Sequence, residues 1–171
     1  MKSLIASIMI LGLVGMIIGV VTQAATTDDV SATVTAQLVS VLVSDGTVEY
    51  GILPLDTTEH TATGGTASET QTATNDGNVA ADLDIRSSDA LGGTTWELAA
   101  TRGSNAFTHE FSINDGSNWT AFNVDNTSYS SLTTNVAAAD NQTFDLRIGT
   151  PTASADNVEK TITVTVLASA Y

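Results

Sequence analysis

The chain has no cysteine, two prolines, two histidines and only five basic residues among 171. Without thiols it has no thiolate nucleophile, no thiolate metal ligand and no disulfide, so the core alone must hold the fold. The five basic residues face nineteen acidic ones, for a net charge of −14. That balance supplies no basic surface for nucleic-acid phosphates or for anionic lipid headgroups. It favours solubility and a surface that attracts cations. With His60 and His109 as the only histidines, general acid–base chemistry has few players, and the composition implies a protein that is not an enzyme.

A long apolar run occurs once, at the start. Met1-Lys2-Ser3 gives a short positive beginning, Leu4 to Val21 is apolar apart from Ser7 and glycines, and Thr22-Gln23-Ala24 ends on a small residue. This is the pattern of a cleaved export signal over residues 1–24, with a cut after Ala25 as the alternative. The run is nearly long enough to span a bilayer, and Gly15 and Gly19 form a GxxxG, so a retained membrane helix or a pilin-like helix is the competing reading. Against it, Gly12, Gly15 and Gly19 weaken a helix and no basic cluster follows to stop transfer. Residues 25–171 are then one exported domain, extracellular or at the cell surface. It would touch a membrane only through the N-terminal segment, if that is kept.

From Ala25 onward no stretch sustains a 3.6-residue apolar period. Short alternations rich in Thr and Val are broken every ten residues or so by turn residues, which predicts an all-β sandwich of eight or nine strands, Ig-like or jelly-roll in type. Val30, Ala32, Val34, Ala36 and Leu38 share one face of a first strand running to Val43, with a change of phase at Val39, Val41 and Val43 that implies a bulge or a second strand. Asp45-Gly46 predicts a two-residue hairpin into Val48, Tyr50 and Ile52, closed by Pro54. Thr57 to Gly65 reads as a loop. Asn75-Asp76-Gly77-Asn78 predicts a hairpin between Glu69–Thr74 and Val79–Ile85, with Leu83 and Ile85 inward and Asp82, Asp84 and Arg86 outward. Further strands are expected over Thr95–Thr101, Phe107–Ile113 and Trp119–Val124. The last two are Phe144-Leu146-Ile148 and Ile162-Val164-Val166, which form the clearest pair.

Val48-Glu-Tyr-Gly-Ile-Leu-Pro-Leu, Thr72-Ala-Thr-Asn-Asp-Gly-Asn, Phe144-Asp-Leu-Arg-Ile and Thr161-Ile-Thr-Val-Thr-Val together resemble the Ig-like sandwiches of bacterial surface proteins. In plan the chain is similar to the TasA/camelysin group of secreted fibre-forming proteins, which join a signal peptide to one cysteine-free sandwich. The resemblance implies a fibre subunit; proteolysis has been attributed to camelysin relatives, but the residues of this chain argue against a protease. Trp96-Glu97-Leu98 is also similar to the first motif of WxL cell-wall-binding domains, although Thr163-Val164-Thr165-Val166 stands where the second motif would fall.

Candidate sites are few. His109-Glu110 begins like a zinc-protease HExxH, but Ile113 occupies the second histidine's place, and on a strand these two positions lie roughly 13 Å apart. His109 then reads as a polar-tipped strand residue and His60 as a loop residue. No Gly-x-Ser-x-Gly elbow is present. Asp76, Asp82, Asp84 and Asp115 offer oxygen ligands to calcium without EF-hand spacing; the Asx-Gly pairs among them serve turns first. No other cofactor is implied. Asn118, Asn126 and Asn141 open glycosylation sequons. Trp96 and Trp119 are core residues of a sandwich or, less simply, sugar-stacking platforms.

The expected function is therefore structural: a secreted subunit at the cell surface or in a filament, with copies of itself or surface components as partners. The alternative is a monomeric module that binds a surface glycan or protein. The alternating residues Val30 to Leu38 are the first strand of their own domain in the plainer reading. In the other they form an assembly strand that completes the sheet of a neighbouring copy.

Overall fold

The computed structural model describes residues 27–67 and 69–171; the export signal expected over 1–24 lies outside them. The chain divides after Thr35 into two units. In the first, residues 27–35 contain no strand. The second, Ala36–Tyr171, is all-β, and no helix among the described residues is long and apolar enough to cross a membrane.

Among the described residues ten strands occur, in chain order: β1 (Leu42–Ser44), β2 (Thr58–His60), β3 (Gln71–Thr74), β4 (Ala81–Ser87), β5 (Glu97–Leu98), β6 (Ala106–Ser112), β7 (Thr120–Ala121), β8 (Ser130–Val136), β9 (Asn141–Gly149) and β10 (Val164–Ala170). They form two sheets. The larger has the order β1-β3-β9-β6-β5, with β2 also on β9 and β7 also on β6; the smaller is β10-β4-β8. The expected sandwich is present; β2 and β8 form where no strand was expected, while Val48 to Ile52, expected as a strand, forms none.

Period-2 alternation builds the core. Leu83 and Ile85 on β4 are wholly buried, while Asp82, Asp84 and Arg86 turn to the other face. Phe107 and Phe111 from β6 meet Phe144, Leu146 and Ile148 from β9, and Phe122 and Leu132 close the cluster. Phe111 and Phe122 lie 5.2 Å apart in a tilted arrangement, a geometry aromatic quadrupoles favour.

Several expected elements are placed differently. Of the long first strand expected from Val30 to Val43, only Leu42–Ser44 is strand, and residues 27–41 form none. Asp45 and Gly46 do take the positive φ of a tight turn, 68° and 69°. No hairpin follows, because Gln71 Oε1 accepts from the Gly46 amide and Gln71 Nε2 donates to the Thr47 carbonyl, while β1 pairs with β3. Ile52 is left fully exposed.

The Asn75–Asn78 turn joins strands of different sheets rather than a hairpin. Buried Asn75 donates through Nδ2 to the carbonyls of Val79 and Val136, at 2.8 and 2.9 Å, and so ties the crossing to β8. Likewise β9 and β10, expected to pair, belong to opposite sheets. Thr58–His60 is a strand on β9, which moves His60 out of the loop assigned to it.

Candidate functional site

The alternating residues ahead of the sandwich divide into two groups. Ala36 and Leu38 are held: the Leu38 amide donates to Asn78 Oδ1 (2.7 Å), the Asn78 amide donates to the Leu38 carbonyl (3.0 Å), and Asn78 Nδ2 donates to the Ala36 carbonyl (2.7 Å). One asparagine thus imitates a short stretch of strand partner. Gly77 makes room for this clamp, since a Cβ there would meet the Leu38 carbonyl at 2.4 Å. Val30 and Val34, in the segment before the clamp, are 94% and 96% exposed, and Ala32 between them is exposed too. The turn signal Asn-Asp-Gly-Asn was visible in the sequence, but nothing local announced that it would grip residues forty positions away.

The acidic candidates for calcium do not converge. Asp82 Oδ1 accepts from the Asn135 amide, linking β4 to β8, and Asp115 Oδ1 accepts from the Thr63 amide, linking two loops. Asp76 sits in the Asn75–Asn78 turn, and Asp84 lies mid-strand opposite Leu167 and Ser131. Among the described residues no group of three or more His, Asp or Glu is arranged to hold a metal ion.

The sequons differ in setting. Asn118 is exposed in the turn between β6 and β7, with its amide donating to Asn114 Oδ1 (2.9 Å). Asn141 is exposed but begins β9, opposite Thr74. Asn126 takes a positive φ of 58°, and its side-chain oxygen is buried without a partner.

His109 is a core residue. It is buried on β6 with Ser87 Oγ 2.7 Å from Nδ1 and the Tyr50 hydroxyl 3.5 Å from Nε2, and Phe122 lies 5.0 Å away, ring to ring. Desolvation pulls its pKa down to about 3, so the ring is neutral at ordinary pH. Burial, followed by the Glu59 charge, pushes the Tyr50 hydroxyl well above the usual tyrosine value. A serine against a histidine is half of a nucleophile–base pair, but Ser87 and His109 are both sealed from solvent, which suits a satisfied polar contact inside the core. Glu110 faces the other way and pairs with Arg147 at 2.5 Å.

Neither tryptophan is fully buried. The Arg147 guanidinium lies 4.7 Å from the Trp119 ring centre, with His60 at 5.8 Å. Trp96 donates through Nε1 to Ser154 Oγ (3.0 Å) and carries the Lys160 ammonium 5.4 Å from its ring. That ammonium also donates to the carbonyls of Gly92 and Thr94 and pairs with Asp156. These cation-and-ring arrangements were missed in the sequence, because Arg147 and Lys160 are remote from the rings they cover. No family model matches the chain, and no curated protein or solved structure resembles it at a significant level.

Proposed function

We propose that the chain is an exported structural subunit that assembles with copies of itself, at the cell surface or in an extracellular filament, by donating the segment before Ala36 to a neighbour. The observation that carries this reading is the near-complete exposure of Val30 and Val34 on an alternating segment that forms no strand. Apolar side chains left in water forgo roughly 1.5–3 kcal/mol each relative to full burial, and an extended segment added to a sheet edge recovers that energy along with main-chain hydrogen bonds. The TasA/camelysin resemblance of the strand pattern points the same way.

Electron microscopy and sedimentation of the exported protein test the reading, together with deletion of Thr26 to Ala36. Fibres from the intact chain and a folded monomer from the deletion are expected. Normal fibres from the deletion would rule out donation. An intact chain that remains monomeric would favour the binding-module alternative.

A further inference from the structure

We infer that the edge of β10 with which no described strand pairs is the acceptor for this segment, so that Val30 to Thr35 of a second copy adds a fourth strand to the three-stranded sheet. The inference rests on the donation reading above and names its receiving site. It begins with the hydrogen-bond phase of β10. The Ser88 amide donates to the Thr163 carbonyl (3.0 Å) and the Tyr171 amide to the Ala80 carbonyl (3.1 Å), so odd-numbered residues turn their backbone groups toward β4. In an antiparallel pair the alternate residues face away. Val164, Val166 and Ala168 therefore direct N–H and C=O to the outer edge, where no described strand pairs with them.

The same three residues have side chains that pack on the core but remain only partly buried, in contrast to Leu83 and Ile85 on the adjoining strand. A strand laid beside them would finish that burial. Its requirements match the donor. At about 3.3 Å per residue, Val30 to Thr35 spans roughly 20 Å, close to the length of a seven-residue edge, and it offers Val30, Ala32 and Val34 on one face.

Charge points to the same edge. In a chain of net charge −14, neither Val30–Thr35 nor Thr161–Tyr171 contains a charged residue, so two copies meet there without direct repulsion. Exposed edges are usually defended by charges, proline or bulges. β10 has none of these, and its seven residues pair with β4 in unbroken register. The opposite edge, β8, is defended: its register with β4 shifts twice and Asn135 takes a positive φ of 55°. β1, β5 and β7 are two or three residues long.

The test is amide exchange on the isotope-labelled full chain, with and without a synthetic peptide of residues 27–35. Excess peptide should slow exchange at Val164, Val166 and Ala168 by at least tenfold and leave the already bonded Thr165 and Leu167 unchanged. A peptide carrying Val34→Asp should not produce the effect. Protection that appears at β1 or β8 instead, or no change at any amide, overturns the inference. Sedimentation judges the filament reading separately. Fibres whose β10 amides stay open refute the acceptor and keep the filament, whereas a peptide that closes β10 on a chain that never pellets keeps the acceptor and refutes the filament.

Discussion

A wholly buried histidine in an acidic protein makes stability depend on pH in a way that carboxylates do not. His109 has its folded pKa depressed to about 3 from the ordinary 6.5, so the unfolded chain binds a proton that the native core refuses. Stability is then full above about pH 6.5 and declines as pH falls from there toward 3, by on the order of 4 kcal/mol over the whole range. Asp125 and Asp156, held low mainly by hydrogen bonds from Ser128 and Lys160, weaken the fold only when pH drops below the usual carboxylate range. Glu59, also held low by hydrogen bonds from Thr66 and His60, begins to matter only near its ordinary value of 4.5, so urea unfolding at pH 7.5 and 5.5 isolates the histidine. The wild type should lose stability between the two, and His109→Gln, starting lower, should show a nearly flat line. An equal slope in both proteins would reassign the effect.

The Asn78 clamp is the other residue-scale device with a measurable consequence. Asn78→Ala removes both side-chain bonds to the entering segment, and Gly77→Ala drives a Cβ into the Leu38 carbonyl. Because the clamp is exposed, global stability should fall by no more than about 1–2 kcal/mol. Limited proteolysis between Thr35 and Val39 should rise several-fold in either variant. Unchanged cleavage would show that the clamp does not restrain the segment.

Among the elements, β4 carries the smaller sheet, pairing on both sides and burying Leu83 and Ile85 completely. Leu83→Ala should cost about 2–5 kcal/mol, by lost transfer energy and the cavity left behind. Leu167→Ala on edge strand β10, where the side chain is 43% exposed, should cost under about 1 kcal/mol. Denaturant midpoints compare them directly, and similar losses would mean that β10 is already covered.

This contrast also marks what the sequence could tell. The inward set on β4, β6 and β9 was legible because alternation alone decides which side chains face the core. Sheet membership was not. Asn75-Asp76-Gly77-Asn78 satisfies a hairpin as well as a sheet crossing, and only the remote Val136 carbonyl on Asn75 distinguishes them. β8, Ser130–Val136, went unread because Ser, Thr and Asn fill most of it and just Leu132 and Val136 are buried. The apolar residues from Val30 to Leu38 were read easily, but their alternation fits a native strand and a donated one equally, and their exposure is a fact of the fold.

At the scale of the whole molecule, the decisive quantity for the proposed assembly is the net charge of −14, which would become one unit more negative if Lys2 were removed with an export signal. Copies brought side by side repel through their acidic faces even when the strands that join them are uncharged. At 0.01 M ionic strength the Debye length is about 30 Å, so most of each subunit's charge is felt by its neighbour; at 0.15 M it is about 8 Å, and only charges near the junction remain. The proposed strand-to-edge contact would be apolar and main-chain in character, and salt would not weaken it in the same way. Raising sodium chloride from 10 to 150 mM should therefore increase the pelleted fraction, and a few millimolar calcium should do so at lower ionic strength by bridging carboxylates. If the subunits were instead joined by ion pairs, which the scarcity of basic residues argues against, salt would dissolve the fibres. Sedimentation across a salt series, with fibre length followed by electron microscopy, separates the two, and assembly that declines steadily with added salt would refute a neutral strand junction.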